Sequence, residues 1–283
     1  MPLSYNEYYK GRTGLTVGVE EVLFSKQTPY QQVEIYETDS WGKLMTIDGM
    51  VMLSEKDEFV YHEMLSHVVM FAHPHPEKVL IIGGGDGGTA REVLKHPAVQ
   101  EVDLVEIDEV VVQASKEYMP DVGAWEDPRL KVHFTDGITF AKEASRKYDV
   151  IIVDGSDPVG PAEGLFKKDF FRFCCDALND EGVLSAQTES PWIEEYQKDI
   201  KQVFTVLDEV FDVSYMYLGY IPLYPSGMWS FAYASKGMDP MEEQVLSRVE
   251  KGVSEFGGSF KYYNRAVHKA AFALPNFVAE IVR

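Results

Sequence analysis

The chain has 283 residues, 45% of them hydrophobic, enough for one large core or one core with a small appended domain, which excludes a disordered or fibrous chain. Lys and Arg number 26 against 46 Asp and Glu, and the net charge of −20 disfavours nucleic acid and anionic membrane as partners while suiting cationic small molecules. Acidity alone also fits a well-dispersed surface, so it gains meaning only where it is located in a site.

The segments 15–24 (LTVGVEEVLF), 31–37 (QQVEIYE) and 41–47 (WGKLMTI) are short runs rich in β-branched and aromatic residues, and Asp48-Gly49 is a hairpin turn signal. They predict a small N-terminal antiparallel β-domain over residues 1–55. Phe59, Val60, Met64, Leu65, Val68 and Phe71 then fall near helical spacing and open a second regime, residues 56–283.

There, apolar strands alternate with helical segments: 78–82 (KVLII), a helix through Arg91 to Leu94, 101–107 (EVDLVEI), a helix from Glu109, 130–134 (LKVHF), a helix after Gly137, and 149–154 (DVIIVD). The alternation predicts an α/β fold with a mostly parallel sheet and helices on both faces. Ser190 as N-cap and Pro191 at the first helical position predict a helix over 190–210. Residues 212–219 and 228–235 read as two closing strands, followed by a helical tail. Cys174 and Cys175 adjoin in a helical stretch, so a disulfide framework is not expected and a reducing compartment fits. With no signal-like start and no apolar run near the roughly 18 residues of a membrane span, the expectation is a soluble, cytoplasmic protein without membrane partners.

GGGDGG at 83–88 follows the first parallel strand and precedes a helix, so Gly83, Gly85 and Gly88 match GxGxxG in its required context. Such a loop also serves as a bare tight connection. Glu106, at the next strand end, is placed to accept both hydroxyls of an adenosine ribose, although a solvated strand-end carboxylate reads the same way. Asp136 and Gly137 end a third strand, where an Asp can accept from an adenine amino group and Gly permits close approach. This order is similar to class I methyltransferase-like folds, whose ligands sit at the carboxyl ends of the strands.

Asp86 lies inside the glycine loop, where it would repel a pyrophosphate or the carboxylate of S-adenosylmethionine. Decarboxylation removes that objection and leaves an ammonium, worth ~4 kcal/mol against a carboxylate at about 4 Å and ε of about 20, before desolvation is subtracted. The plainer reading is that Asp86 caps the following helix. Asp154 and Asp157, at the fourth strand end and in a Gly- and Pro-rich segment, suit a diamine: one carboxylate to take a proton, the other to hold the distal ammonium. Other candidates fade. His62 and His67 are five apart where a zinc-protease helix needs four, and His73 and His75 flank Pro74 as expected solvated loop histidines.

With these residues in view, the chain resembles the spermidine synthase (polyamine aminopropyltransferase) family over nearly its whole length. The matching stretches are TPYQ (28–31), MLSEKDEFVYHEML (52–65), GGGDGG, VEID (105–108), TDG (135–137), DGSDPVGPAEGLF (154–166), AQTESPW (186–192), IPLYPSGMWSF (221–231) and YYNRAVHKAAFALPNF (262–277). The resemblance implies a Rossmann-like catalytic domain behind a small β-domain, a homodimer or homotetramer, and an amine trapped under the 154–166 loop. It implies Asp154 as general base assisted by Tyr61. Gln31, Glu106, Asp136, Gly137 and Pro161 would hold the methylthioadenosine portion, and Asp86 the aminopropyl nitrogen. His62, Asp157, Gln187 and Tyr224 would line the amine channel; His62 stands where some relatives carry Gln. The implied reaction transfers the aminopropyl group of decarboxylated S-adenosylmethionine to putrescine, with no metal and no bound cofactor. An amine N-methyltransferase, a nicotinamide dehydrogenase, a non-catalytic polyamine binder and a different amine acceptor are the alternatives. Asp86 argues against the first two.

Overall fold

The structure is a computed structural model and describes residues 3–9, 13–145, 147–155, 164–256 and 259–283. Strands β1 (Leu3–Tyr9), β2 (Thr13–Gln27), β3 (Gln32–Thr38), β4 (Lys43–Ile47) and β5 (Met50–Ser54) pair antiparallel in sequence order. Asp48 and Gly49 both have positive φ, 50° and 74°, as a tight hairpin with right-twisted strands requires. β1 was not legible in the sequence: it turns only Tyr5 and Glu7 inward, and one of those two is an acid. One face of this sheet packs Val33, Ile35, Met45, Ile47 and Leu53 onto Val111 and Ala114 of the second unit. The N-terminal strands therefore form one wall of whatever lies between the two sheets.

The second unit runs α1 (Glu58–Ala72), β6 (Lys78–Gly83), α2 (Gly88–Leu94), β7 (Glu101–Glu106), α3 (Glu109–Tyr118), β8 (Leu130–Phe134), α4 (Gly137–Glu143), β9 (Tyr148–Asp154) and α5 (Lys168–Ala177). It continues through β10 (Leu178–Gln187), α6 (Glu194–Val210), β11 (Val213–Tyr220), β12 (Met228–Ser235), α7 (Glu243–Glu255), α8 (Arg265–Ala271) and α9 (Asn276–Ile281). The sheet order is β11-β12-β10-β9-β6-β7-β8. β10, β9, β6, β7 and β8 are parallel; β12 and β11 close the sheet antiparallel. Helices cover both faces, one core built on α1, α2 and α7 and the other on α4, α5 and α6. That is why Val79–Ile82 and the middle of β9 are apolar without alternation. β6 and β9 are neighbours from which the chain departs in opposite directions, so a crevice opens at their carboxyl ends.

The α/β, Rossmann-like expectation is met, with three local corrections. α6 begins at Glu194, because Ser190 is not a cap: its hydroxyl pairs with that of Ser226 at 3.1 Å, and Glu189 before it turns with φ 83°. β10 was missed, since it follows α5 without a turn and starts with the polar residues Asn179, Asp180 and Glu181. His73 is buried and its ring accepts the His75 N–H at 3.2 Å, so only His75 is a solvated loop histidine. Cys174 and Cys175 pack in α5 as free thiols. Among the described residues no helix is long and apolar enough to cross a membrane.

Candidate active site

The loop between β6 and α2 is built around the side chains beside it. Gly83 has φ 83°, and a Cβ there would stand 2.1 Å from the carbonyl oxygen of Asp154. This close approach lets Gly84 N–H donate to that same oxygen at 2.9 Å, tying the loop to the end of β9. A Cβ at Gly85 would stand 2.8 Å from Glu106 Oε2. The glycines thus let the loop pass close to the end of β9 and to the Glu106 carboxylate.

The cleft they open is lined by Gln31, Tyr61, His62, Asp86, Glu106, Asp136, Gly137, Asp154, Gln187 and Tyr224, so these sequence-predicted residues are brought together. Asp157 and Pro161, with most of the expected lid at 154–166, lie outside the described residues.

At one end, Glu106 is buried and its Oε1 accepts the Asp108 N–H at 2.9 Å. Burial pushes its carboxyl up to about 7, against the backbone N–H groups that favour the anion. Asp108, not singled out in the sequence, is the hub here. Its Oδ2 accepts from the Thr28 hydroxyl at 2.7 Å and from Gln31 Nε2 at 3.2 Å, and its Oδ1 caps α3 through Val110 N–H. One of the two Gln31 amide hydrogens is thereby used within the protein, and Gln31 lines the cleft. Asp136 caps α4, its Oδ1 accepting from Ile138 and Thr139 N–H. Gly137 is required by Ile82, whose Cγ2 would lie 2.5 Å from a Cβ.

At the other end, Asp154 is 9% exposed. Tyr61 donates to its Oδ1 and Thr89 to its Oδ2, each at 2.6 Å. Burial and the neighbouring Asp86 raise its proton affinity, while His62 and the two hydroxyls oppose them. Asp86 shifts the other way: burial favours its acid form, but His62 and Gly88 N–H hold it below the ordinary range. The Tyr61 phenol is driven well above its usual value by burial and by Asp154, so it remains a donor. The helix-capping reading of Asp86 and the ligand reading coexist, because its Oδ1 accepts Gly88 N–H at 2.7 Å at the start of α2.

Gln187 is less open than expected: its Nε2 donates to Gly155 O at 3.0 Å and its Oε1 accepts Glu189 N–H at 3.2 Å. Tyr224 turns its hydroxyl to Met52 O and presents its ring, 5.8 Å from that of Tyr61. Sequence reading missed Thr89, which looks like any first-turn helix residue. It also missed Glu7, which lines the cleft with Oε2 accepting Val51 N–H at 2.9 Å. Ligand atoms of His62, Asp86 and Asp154 lie within 4.8 Å of one another, a span a metal ion could bridge. The His62 ring is also engaged by protein acids on both sides, Nδ1 2.6 Å from Glu58 Oε2 and Nε2 3.2 Å from Asp86 Oδ1.

The fold and cleft define a Rossmann-like α/β protein whose switch-point crevice joins the Glu106–Asp136 end to the Asp86–Asp154 end. Residues 58–244 match the family model described as spermine/spermidine synthase domain, and residues 4–55 that of the spermidine synthase tetramerisation domain. A polyamine aminopropyltransferase from Caldicellulosiruptor bescii is 45% identical, covering 100% of this chain and 99% of the relative. One from Bacillus mycoides is 43% identical over the whole of both chains. Among solved structures, a spermidine synthase in complex with the transition-state analogue AdoDATO superposes with a TM-score of 0.94 at 42% identity, covering 100% of this chain and 96% of that one. The spermidine synthase of Thermotoga maritima gives 0.92 at 41%, covering 100% and 95%. The chain belongs to the spermine/spermidine synthase family of aminopropyltransferases.

Proposed function

We propose that the protein transfers the aminopropyl group of decarboxylated S-adenosylmethionine to putrescine, giving spermidine and methylthioadenosine, with Asp154 as general base. The observation that carries this reading is the pair of acids in one buried cleft whose proton affinities are driven apart, Asp86 down and Asp154 up. An ionised Asp86 attracts the donor's ammonium and repels the carboxylate of ordinary S-adenosylmethionine. Asp154, with raised affinity, is suited to removing a proton near neutral pH.

The neutral amine nitrogen attacks the methylene carbon bonded to the sulfonium. The C–N bond forms as the C–S bond breaks, the electron pair returns to sulfur, and the surplus proton on nitrogen passes to Asp154. Tyr61 and Thr89 fix both oxygens of that carboxylate, and such positioning is worth several kcal/mol. Glu106 and the Gln31 oxygen accept the ribose hydroxyls, Asp136 and Gly137 face the adenine, and the Tyr224 ring with Gln187 borders the amine. Pro161 at the adenine and Asp157 at the distal ammonium complete the assignment. A homodimer or homotetramer in the cytoplasm, working without a metal or bound cofactor, is part of the same proposal.

The test crosses decarboxylated and ordinary S-adenosylmethionine against putrescine, cadaverine, agmatine and spermidine, scored by product mass. Spermidine formed from the decarboxylated donor and putrescine is expected. Methylated amine as the product would overturn the donor, and a faster alternative amine would overturn the acceptor.

A further inference from the structure

His62 sits in a cation-binding cleft and is itself enclosed by acids. Its ring, 1% exposed, has Nδ1 2.6 Å from Glu58 Oε2 and Nε2 3.2 Å from Asp86 Oδ1. An ionised carboxylate oxygen only accepts, so Nδ1 carries the proton it donates to Glu58, and a second proton on Nε2 makes the ring a cation that pairs with both acids. Glu58 is one helical turn before His62 on α1, buried, and its Oε2 also accepts from Arg91 NH2 at 2.7 Å. Arg91 is immobilised in turn: Nε donates to Glu92 and NH1 to the Val122 carbonyl, each at 2.8 Å. The backbone makes room for the ring. A Cβ at Gly88 would lie 2.2 Å from His62 Cε1, so the first turn of α2 is shaped against the imidazole.

We propose that Glu58 is a positioning residue of the donor site: backed by Arg91, it holds His62 as an imidazolium, which keeps Asp86 ionised with one oxygen turned to the donor ammonium. Asp86 Oδ1 accepts Gly88 N–H at 2.7 Å and lies at ion-pair distance, 3.2 Å, from His62 Nε2, while among the described residues no hydrogen-bond donor reaches Oδ2. The carboxylate is therefore oriented for a single ligand contact. Charged and titratable groups face His62 from every side: Glu58 and Tyr61 on its own helix, Asp86 in the loop, Arg91 on α2, and Asp154 at the end of β9. Without the imidazolium, Asp86 and Asp154 would compete for one proton, as close carboxylates do, and a protonated Asp86 has no pull on a cation. Burial pushes the ring toward neutrality, but the two carboxylates outweigh it and raise His62 to about 10.

This role rests on the proposed donor, and its test separates the two. Nitrogen NMR of the ligand-free wild type should show both His62 nitrogens protonated at least to about pH 8.5. A neutral ring at pH 7.5 overturns the imidazolium, and because this reading needs no variant and no turnover it stands whatever the variants do. In Glu58→Gln the ring loses one of its two anions and titrates between about pH 6.5 and 9, so KM for the decarboxylated donor should climb roughly tenfold across that range. Wild-type KM for the donor should stay level there, and KM for the amine should move little in either protein. A variant whose donor KM is as level as that of the wild type overturns the positioning role. A wild type that binds or consumes no decarboxylated donor overturns the donor assignment itself, and the NMR result reports on the imidazolium independently.

Discussion

The two ends of the cleft are built from the same residue types at the same topological place, acids at the carboxyl ends of parallel strands, yet they are held differently. At the Glu106 end the carboxylates of Glu106 and Asp136 are tied to backbone N–H groups, and the neutral side chains of Thr28 and Gln31 join Val110 N–H on Asp108. At the Asp154 end side chains dominate: Tyr61 and Thr89 donate to Asp154, and Asp86, which also accepts Gly88 N–H, is paired with His62. Backbone donors fix an acid in place without adding formal charge, which suits the reading of neutral hydroxyl and amino groups. Side-chain donors add or withhold charge, which lets two neighbouring carboxylates differ in proton affinity. What each acid does is set by what holds it.

The sharpest way to break the comparison is Asp154→Asn, which removes the proposed base and keeps the size. Turnover should fall ~10²–10⁴-fold while methylthioadenosine still binds, since the proposed assignment places that ligand at the other end. Isothermal titration beside a product assay reads both, and retained turnover would dismiss the base. Asp86→Asn should be milder. Losing a charge-assisted contact of about 1.5–3 kcal/mol raises the donor KM by roughly 10- to 100-fold, leaving methylthioadenosine affinity intact. Weakening of both ligands alike would mean that Asp86 acts only as a cap of α2.

Thr89→Val probes how Asp154 is held. The hydroxyl bonds the charged form of Asp154, so removing it raises the carboxyl's affinity for a proton further. The acid limb of the pH–rate profile should move upward by roughly one unit, for a bond to a charged group worth about 1.5 kcal/mol. Activity is lost below that limb and recovered above it. A uniform drop at every pH would assign Thr89 to structure alone.

The strand ends were legible in the sequence because each is an apolar run stopped by Asp, Glu or Gly, and a parallel sheet buried on both faces admits little else. What holds the acids was not legible. Thr89 and Arg91 look like ordinary helix residues, and only the crossing of α2 with β9 and α1 gives them partners. The Glu58–His62 pair is visible as helical spacing, but its meaning depends on Asp86 arriving from 24 residues beyond His62. The glycine loop also serves an end the pattern does not state: Gly85 and Gly88 leave space for Glu106 and His62. A motif records where side chains are absent, and the fold decides what enters.

The smallest expected effect lies at the backbone-held end and sharpens the contrast most. Burial raises the Glu106 carboxyl to about 7, so near neutrality it is close to half protonated before a nucleoside arrives. In the proposed assignment ribose hydroxyls donate to the anion, so binding must expel that proton at lower pH. Affinity for methylthioadenosine, which carries no ammonium, should weaken by up to about tenfold per unit below about pH 7 and level off above it. The same shift acts on stability with a definite sign. The folded-state value lies above the ordinary 4.5, so the group's contribution is fully present below that value and is lost as pH rises through about 7. Glu106→Gln should therefore bind methylthioadenosine a few-fold more weakly at pH 8, flatten the pH dependence of binding, and raise the melting temperature of the ligand-free protein above pH 7. A wild-type affinity that is level from pH 5.5 to 8, or a variant that keeps the slope, would show that the ribose is read by groups other than this carboxylate.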